Sequence, residues 1–222
     1  MDTYKIKQPV SYYNQVYKNI KEMIFDGIFK PGERIYESKL AAEFQVSRSP
    51  VREAIRSLEK DGLLCIDNKS RITVYKPTIR DIEDIYECRR ALESMAARLT
   101  TVRASQDDLD KIEDVLMRTE ENIRRFHDTD EKTIVLLNSK FHNLILCFSQ
   151  NSRLQKQSDD LKSLIYFYRF IDVYGYKRRM DIYKYHLEIF NFIKQRDESM
   201  AAQVMDEHLA NDLEHLKKVL AI

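Results

Sequence analysis

The sequence has no tryptophan, and its 222 residues include only four glycines, four prolines and three cysteines. So few breakers exclude a loop-rich or collagen-like chain and favour long helices. Cys65, Cys88 and Cys147 are scattered, odd in number and form no CxxC pair. That pattern excludes a thiolate-zinc ribbon and argues against a disulfide framework, so reduced thiols and a cytoplasmic location are expected. No apolar run approaches the roughly 20 residues of a membrane span, and the first residues lack a signal-peptide pattern. Net charge is nearly absent too, at +1. It is unevenly spread, with 14 Lys and Arg against 10 Asp and Glu through Thr78, then 23 against 26. A basic front and an acidic back fit nucleic-acid contact by the N-terminal part alone.

The stretch from Val46 to Glu59 organises the front. Val51, Ala54, Ile55 and Leu58 follow the i, i+3, i+4, i+7 rule and make one apolar stripe. Arg48, Arg52 and Arg56 recur every four residues on another side. Ser47 or Ser49 can cap the start, and Pro50 is tolerated only in a first turn, so a helix begins here. Leu40, Ala41 and Phe44 mark a short helix just before it. Two short helices joined tightly, the second presenting cations, make a helix-turn-helix. Taken alone, such an arginine stripe is more often simply a solvated helix face.

An earlier helix is expected over residues 11–26, from Tyr13, Val16, Ile20, Met23 and Ile24. Beyond Asp61-Gly62, the β-prone runs 63–66 and 71–75 flank a polar turn and read as a hairpin. Three helices and a hairpin are the order of a winged helix. Lys69 and Arg71 at the hairpin tip are placed to reach a phosphate or a minor groove.

Residues 29–35 and 40–63, with their PG, LA, VSRSPVREA and LEKDGL strings, resemble the DNA-binding domain of the GntR family of bacterial transcription regulators. The resemblance implies that Arg34, Arg48, Ser49 and Arg52 contact operator DNA, with Arg56 a weaker contact. Two departures stand out. Tyr36 precedes Glu37 where the family often has serine, and Lys69-Ser70 replaces a usual wing glycine.

Pro77-Thr78 is the expected boundary between a 1–77 winged helix-turn-helix and a 78–222 all-helical domain. The second part reads as about six amphipathic helices in an antiparallel bundle, so the fold class is mainly α. One of the six is expected to run unbroken over residues 151–174. Asn138 and His142 lie one helical turn apart and aim at a common point. His186 and His208 fall on the last two helices, whereas His127 and His215 match no motif position.

The pattern around His142, His186 and His208, together with Arg89-Arg90-Ala91-Leu92-Glu93, resembles the FCD ligand-binding domain of the FadR branch. Its metal-binding members use an aspartate and three histidines. Carried over by position, the implied ligands are Asn138, His142, His186 and His208, holding Zn2+ or Ni2+, with asparagine replacing the aspartate. The implied effector is a small organic acid gripped by Arg89, and the implied protein is a homodimeric, non-enzymatic repressor on an inverted-repeat operator. Other readings are a metal-free pocket for an acyl or apolar ligand, around the aromatic run 165–170, a zinc-dependent hydrolase, or a helical scaffold.

Overall fold

The computed structural model describes residues 11–125 and 130–220. They divide into two compact units, Met1–Pro77 and Thr78–Ile222.

In the first unit, α1 (Tyr12–Phe25) is capped by the Ser11 side chain and buries Val16, Ile20 and Ile24. It packs on α3 (Arg48–Lys60), which buries Val51, Ala54, Ile55 and Leu58. The Tyr13 and Ser57 hydroxyls are 2.9 Å apart, and Tyr17 donates a short hydrogen bond to Asp61. Between these helices lie β1 (Arg34–Ile35) and α2 (Glu37–Glu43). Tyr36 is the N-cap of α2 and makes no side-chain cap bond, as expected where an aromatic replaces serine. Neither serine caps α3: Ser47 occupies the N-cap without a side-chain bond, and Ser49 Oγ instead donates to Glu53 at 3.3 Å.

The hairpin pairs β2 (Leu64–Ile66) with β3 (Ile72–Val74), with Cys65 opposite Thr73. β1 adds a third strand that the sequence did not disclose, giving the order β1-β3-β2. Two residues, Arg34 and Ile35, are too few to show alternation; β1 exists because β3 offers an edge opposite Thr73 and Ile72. At the turn, Ser70 takes φ +58, the left-handed region a wing glycine would occupy. Asp67 secures this turn by accepting from the backbone N–H groups of Lys69 and Arg71, both at 2.9 Å.

The second unit holds seven helices among the described residues, not six. They are α4 (Ile79–Arg103), α5 (Gln106–Arg124), α6 (Glu131–Phe148), α7 (Ser152–Asp159), α8 (Lys162–Asp172), α9 (Tyr176–Lys194) and α10 (Glu198–Leu220). Capping boxes Thr78/Asp81 and Ser105/Asp108 start α4 and α5. The helix expected over 151–174 is broken at Asp160–Leu161, where Leu161 N turns back to Ser158 O at 3.1 Å. No proline or glycine marks that break, so periodicity cannot reveal it. Asp159 and Asp160 do place two carboxylates where the helix dipole disfavours them. α4 packs most extensively on α10, and α6 and α9 complete a core of residues such as Ala96, Ile112, Phe141, Phe190 and Leu209. Cys65, Cys88 and Cys147 are exposed and not disulfide-bonded. No described helix is long and apolar enough to cross a membrane.

Candidate functional site

The first unit presents a basic cleft of about 530 Å³ between α3, β1 and the hairpin. Its lining includes Arg34, Arg48, Arg52, Arg56 and Arg71, with Glu37 the one carboxylate. The apolar stripe of α3 is what turns these arginines outward, since burying Val51, Ala54, Ile55 and Leu58 leaves Arg48, Arg52 and Arg56 exposed. Two of the five are held within the unit: Arg52 Nη2 lies 3.3 Å from Glu37, and Arg71 Nη2 lies 2.6 Å from Asp67. Arg34 stacks over the exposed Tyr36 ring at 4.8 Å, with Lys39 Nζ at 5.2 Å. Ser49 and Lys69 are exposed but do not line the cleft.

The second unit buries a polar pocket. α6 supplies Asn138 and His142 from one face, α9 supplies His186 and α10 supplies His208, all at most 4% exposed. The three Nε2 atoms form a triangle with sides of 3.2, 3.2 and 3.4 Å. Phe141 stacks on the His186 ring at 4.0 Å and holds its plane. Nδ1 of His142 lies 2.5 Å from Glu93 Oε2, and Nδ1 of His208 lies 3.5 Å from Asp212 Oδ1. Placing protons on those Nδ1 atoms, beside the carboxylates, would leave the Nε2 lone pairs facing one another, an arrangement suited to a cation between them.

Burial keeps all three imidazoles neutral. It pushes His142 down to about 3 despite Glu93, and it lowers His186 and His208 well below the ordinary range, with neighbouring rings and arginines adding to it. Burial opposes ionisation of Glu93, yet Arg89 and His142 beside it hold its carboxyl well below the usual range. Neutral imidazoles backed by carboxylates are what a metal site requires. Ligand atoms about 2.0–2.1 Å from a tetrahedral ion stand about 3.3 Å apart, which is the separation of these nitrogens. Asn138 Oδ1 is buried without a protein partner. The three imidazoles therefore fit a divalent ion, and the orphaned amide oxygen of Asn138, one helical turn before His142, is a candidate fourth donor.

Arg89 is 1% exposed and its Nε donates to Glu93 Oε1 at 2.8 Å. Its Nη1 and Nη2 have no protein partner, and the guanidinium lies 4.7 Å over the Tyr86 ring. A second buried guanidinium, Arg169 on α8, has an unpartnered Nε. Burial and the charge of Arg89 push Arg169 down to about 10, which still leaves it cationic at neutral pH. Arg169 lines a small cavity against His142, together with Glu93, Ser139, Asn143 and Tyr166. Behind His208, Arg178 Nη2 bridges Asp172 at 2.7 Å and Asp212 at 2.5 Å. Burial, and for Asp172 the neighbouring Asp212 too, pushes both carboxyls up against the pull of Arg178.

The structure thus brings His142, His186 and His208 together and sets Asn138 one turn before His142. Sequence reasoning missed Glu93, Arg169, Arg178 and Asp212 as members of this pocket. The i, i+4 spacings Arg89–Glu93 and His208–Asp212 were the available signal. Arg169 was hidden inside an aromatic run. His127 lies outside the described residues.

Residues 12–74 match the family described as bacterial regulatory proteins, gntR family, and residues 84–211 match the FCD domain. The HTH-type transcriptional regulator YdhC of Bacillus subtilis (strain 168) is 41% identical over 220 residues, 99% of this chain and 97% of its own. The Nta operon transcriptional regulator of Aminobacter aminovorans is 29% identical over 86% of this chain and 88% of its own. Among solved structures, E. coli McbR/YncC shares the fold with a TM-score of 0.77 at 21% identity, covering 95% of this chain and 99% of that one.

Proposed function

The chain belongs to the GntR family of bacterial regulatory proteins and carries an FCD domain, and on that premise we propose that it is an effector-responsive, operator-binding repressor of the FadR branch, acting in the cytoplasm. The 1–77 winged helix is the DNA-binding domain, and 78–222 is the sensing and dimerisation domain. A homodimer sets one winged helix on each half of an inverted repeat, which is how two-fold proteins meet two-fold operators. Repression follows if the dimer covers promoter DNA.

The observation that carries the DNA reading is the convergence of Arg34, Arg48, Arg52, Arg56 and Arg71 on one cleft beside α3. Arginine forks suit phosphate oxygens and the guanine edge. Arg48 and Ser49 sit in the uncapped first turn of α3, where N–H groups and the helix dipole favour phosphate. Arg52 and Arg56, farther along the same face, are placed to read bases. Arg71 and Lys69 on the hairpin add sequence-independent charge.

In the pocket, His142, His186, His208 and Asn138 would hold a divalent ion, Zn2+ favoured over Ni2+ by the spacing of the nitrogens, at a site able to accept one further ligand. When bound, such an ion would supply a Lewis-acid anchor for a carboxylate oxygen of a small organic acid. Glu93 orients His142, and Arg89 holds the acid through its unpartnered Nη groups. Pocket occupancy changes operator affinity by a coupling of about 1–3 kcal/mol, typical of such linkage.

Gel-shift titration of zinc-loaded protein against palindromic fragments upstream of its own gene tests this reading. Binding that saturates and responds to small organic acids is expected. Protein that ignores every such fragment at low ionic strength is not an operator-binding repressor.

A further inference from the structure

We propose that Tyr36 is a positioning residue for DNA phosphates: its ring holds the side chains of Arg34 and Lys39 in place without cancelling either charge, so that both meet the sugar–phosphate backbone. This rests on the DNA-binding reading given above, and it adds Tyr36 and Lys39 to the contacts assigned there. Where a serine would cap α2, this tyrosine makes no side-chain cap bond, so its presence has a local cost. Its ring is 43% exposed, so burial in a core does not account for it either. What the ring does meet is two cations. Arg34 Cζ lies 4.8 Å and Lys39 Nζ 5.2 Å from its centroid, both inside the reach of about 6 Å at which a ring face attracts a cation. Arg34 comes from β1 and Lys39 from α2, so one ring gathers charge from two elements. Like charges gathered there repel each other, and an anion that meets both relieves the repulsion.

The neighbouring arginines show why a ring suits this role. Arg52 is held by Glu37 and Arg71 by Asp67, so each must leave a carboxylate before it meets DNA. Among the described residues, neither Arg34 nor Lys39 has a carboxylate partner. A cation stacked on a ring keeps its charge, and its N–H groups stay open to a phosphate oxygen. Tyr36 and Arg34 line the cleft together with Arg48 and Arg52 of α3. In a helix-turn-helix the recognition helix enters the groove while the helix before it crosses the backbone, and Lys39 sits on that preceding helix. The backbone phosphates, common to every sequence, are therefore the target of this pair.

The test is fluorescence-anisotropy titration of full-length protein on a labelled duplex of arbitrary sequence, from low ionic strength upward, alongside a thermal melt. Tyr36→Ser should weaken binding about five- to tenfold, the loss of two exposed cation–π contacts. It should also lower the slope of log affinity against log salt by about one. Its Tm should equal or exceed that of wild type, because serine supplies the missing cap. Tyr36→Phe keeps the ring and should bind within about twofold of wild type. In a chain already carrying Arg34→Gln and Lys39→Gln, Tyr36→Ser should cost less than about twofold, since nothing is left to position. A palindromic fragment from upstream of the gene should show the same proportional losses, because phosphate contacts carry no sequence information. Wild-type affinity in Tyr36→Ser overturns the proposal and leaves the DNA-binding reading intact. Tyr36→Phe falling as far as Tyr36→Ser overturns it by making the hydroxyl a direct contact, and an undiminished loss in the doubly substituted chain overturns the route through the two cations. Failure of the wild type to bind either duplex overturns both this proposal and the DNA-binding reading.

Discussion

Glu93 Oε2 sits 2.5 Å from Nδ1 of His142, while its other oxygen accepts from Arg89 at 2.8 Å. One carboxylate thus fixes the tautomer of a candidate ligand and neutralises a candidate anion-gripping arginine. Glu93→Gln keeps the shape and loses the charge. Zinc affinity should fall about 10–100-fold, the usual cost of removing an orienting carboxylate. Metal-free stability should fall by about 3–5 kcal/mol, because Arg89 is left buried and unpaired. Denaturant melts with and without zinc separate the two effects; unchanged zinc affinity would remove Glu93 from the metal site.

The histidines predict an acid sensitivity with a definite sign. Their folded pKa values are depressed, His142 to about 3, relative to an unfolded value near 6.5. Unfolded chain therefore binds more protons as pH falls below about 6.5, and stability is lost in that direction. For His142 alone the loss is about 2 kcal/mol at pH 5. Glu93 does not oppose it, since its carboxyl is held low, but Asp172 and Asp212, whose carboxyls burial raises, offset part of the loss. The Tm of EDTA-treated protein should drop steadily from pH 7.5 to pH 5, and the stabilisation by added zinc should shrink as protons compete for the same nitrogens. Imidazole NMR resonances of the metal-free protein that titrate near 6.5 for all three rings would show that they are not held neutral.

Arg52 is poised but occupied, since Glu37 holds it at 3.3 Å. Operator binding must exchange that exposed pair for a base or phosphate. Arg52→Ala should cost about 1–3 kcal/mol on the operator and relax discrimination against single-base variants. Lys69→Ala should weaken all sequences alike and lower the slope of log affinity against log salt by about one. Glu37→Gln should raise non-specific affinity by freeing Arg52. Gel shifts at three salt concentrations distinguish these outcomes; equal affinity of wild type and Arg52→Ala would exclude Arg52 from recognition.

Much of this was legible in the residues because periodicity exposes helices and their buried stripes. Val51, Ala54, Ile55 and Leu58 announced α3, and Asn138 with His142 announced one face of α6. What stayed hidden depends on chain reversal in space. β1 is two residues long and exists only through its partner strand. Asp160–Leu161 breaks a helix without a breaker residue. Arg169 is hydrophilic by type yet buried, and only the meeting of α4, α6 and α8 gives it a reason to be there.

The wing offers a stability test independent of DNA and metal. Ser70 holds φ +58, where a side chain costs about 1–2 kcal/mol relative to glycine, and Asp67 offsets part of this by tying down the turn. Ser70→Gly should be neutral or stabilising by up to about 1 kcal/mol, the relief of strain being partly cancelled by greater unfolded-state entropy. Ser70→Val should destabilise by about 1–2 kcal/mol, since a β-branched residue resists the left-handed region more strongly than serine. Asp67→Ala should destabilise the turn and also release Arg71, whose Nη2 lies 2.6 Å from that carboxylate. Non-specific DNA binding should then rise even as the melt shifts down, a pairing that loss of fold alone does not produce. If Ser70→Val melts with or above wild type, the left-handed turn is not the conformation of the wing in solution.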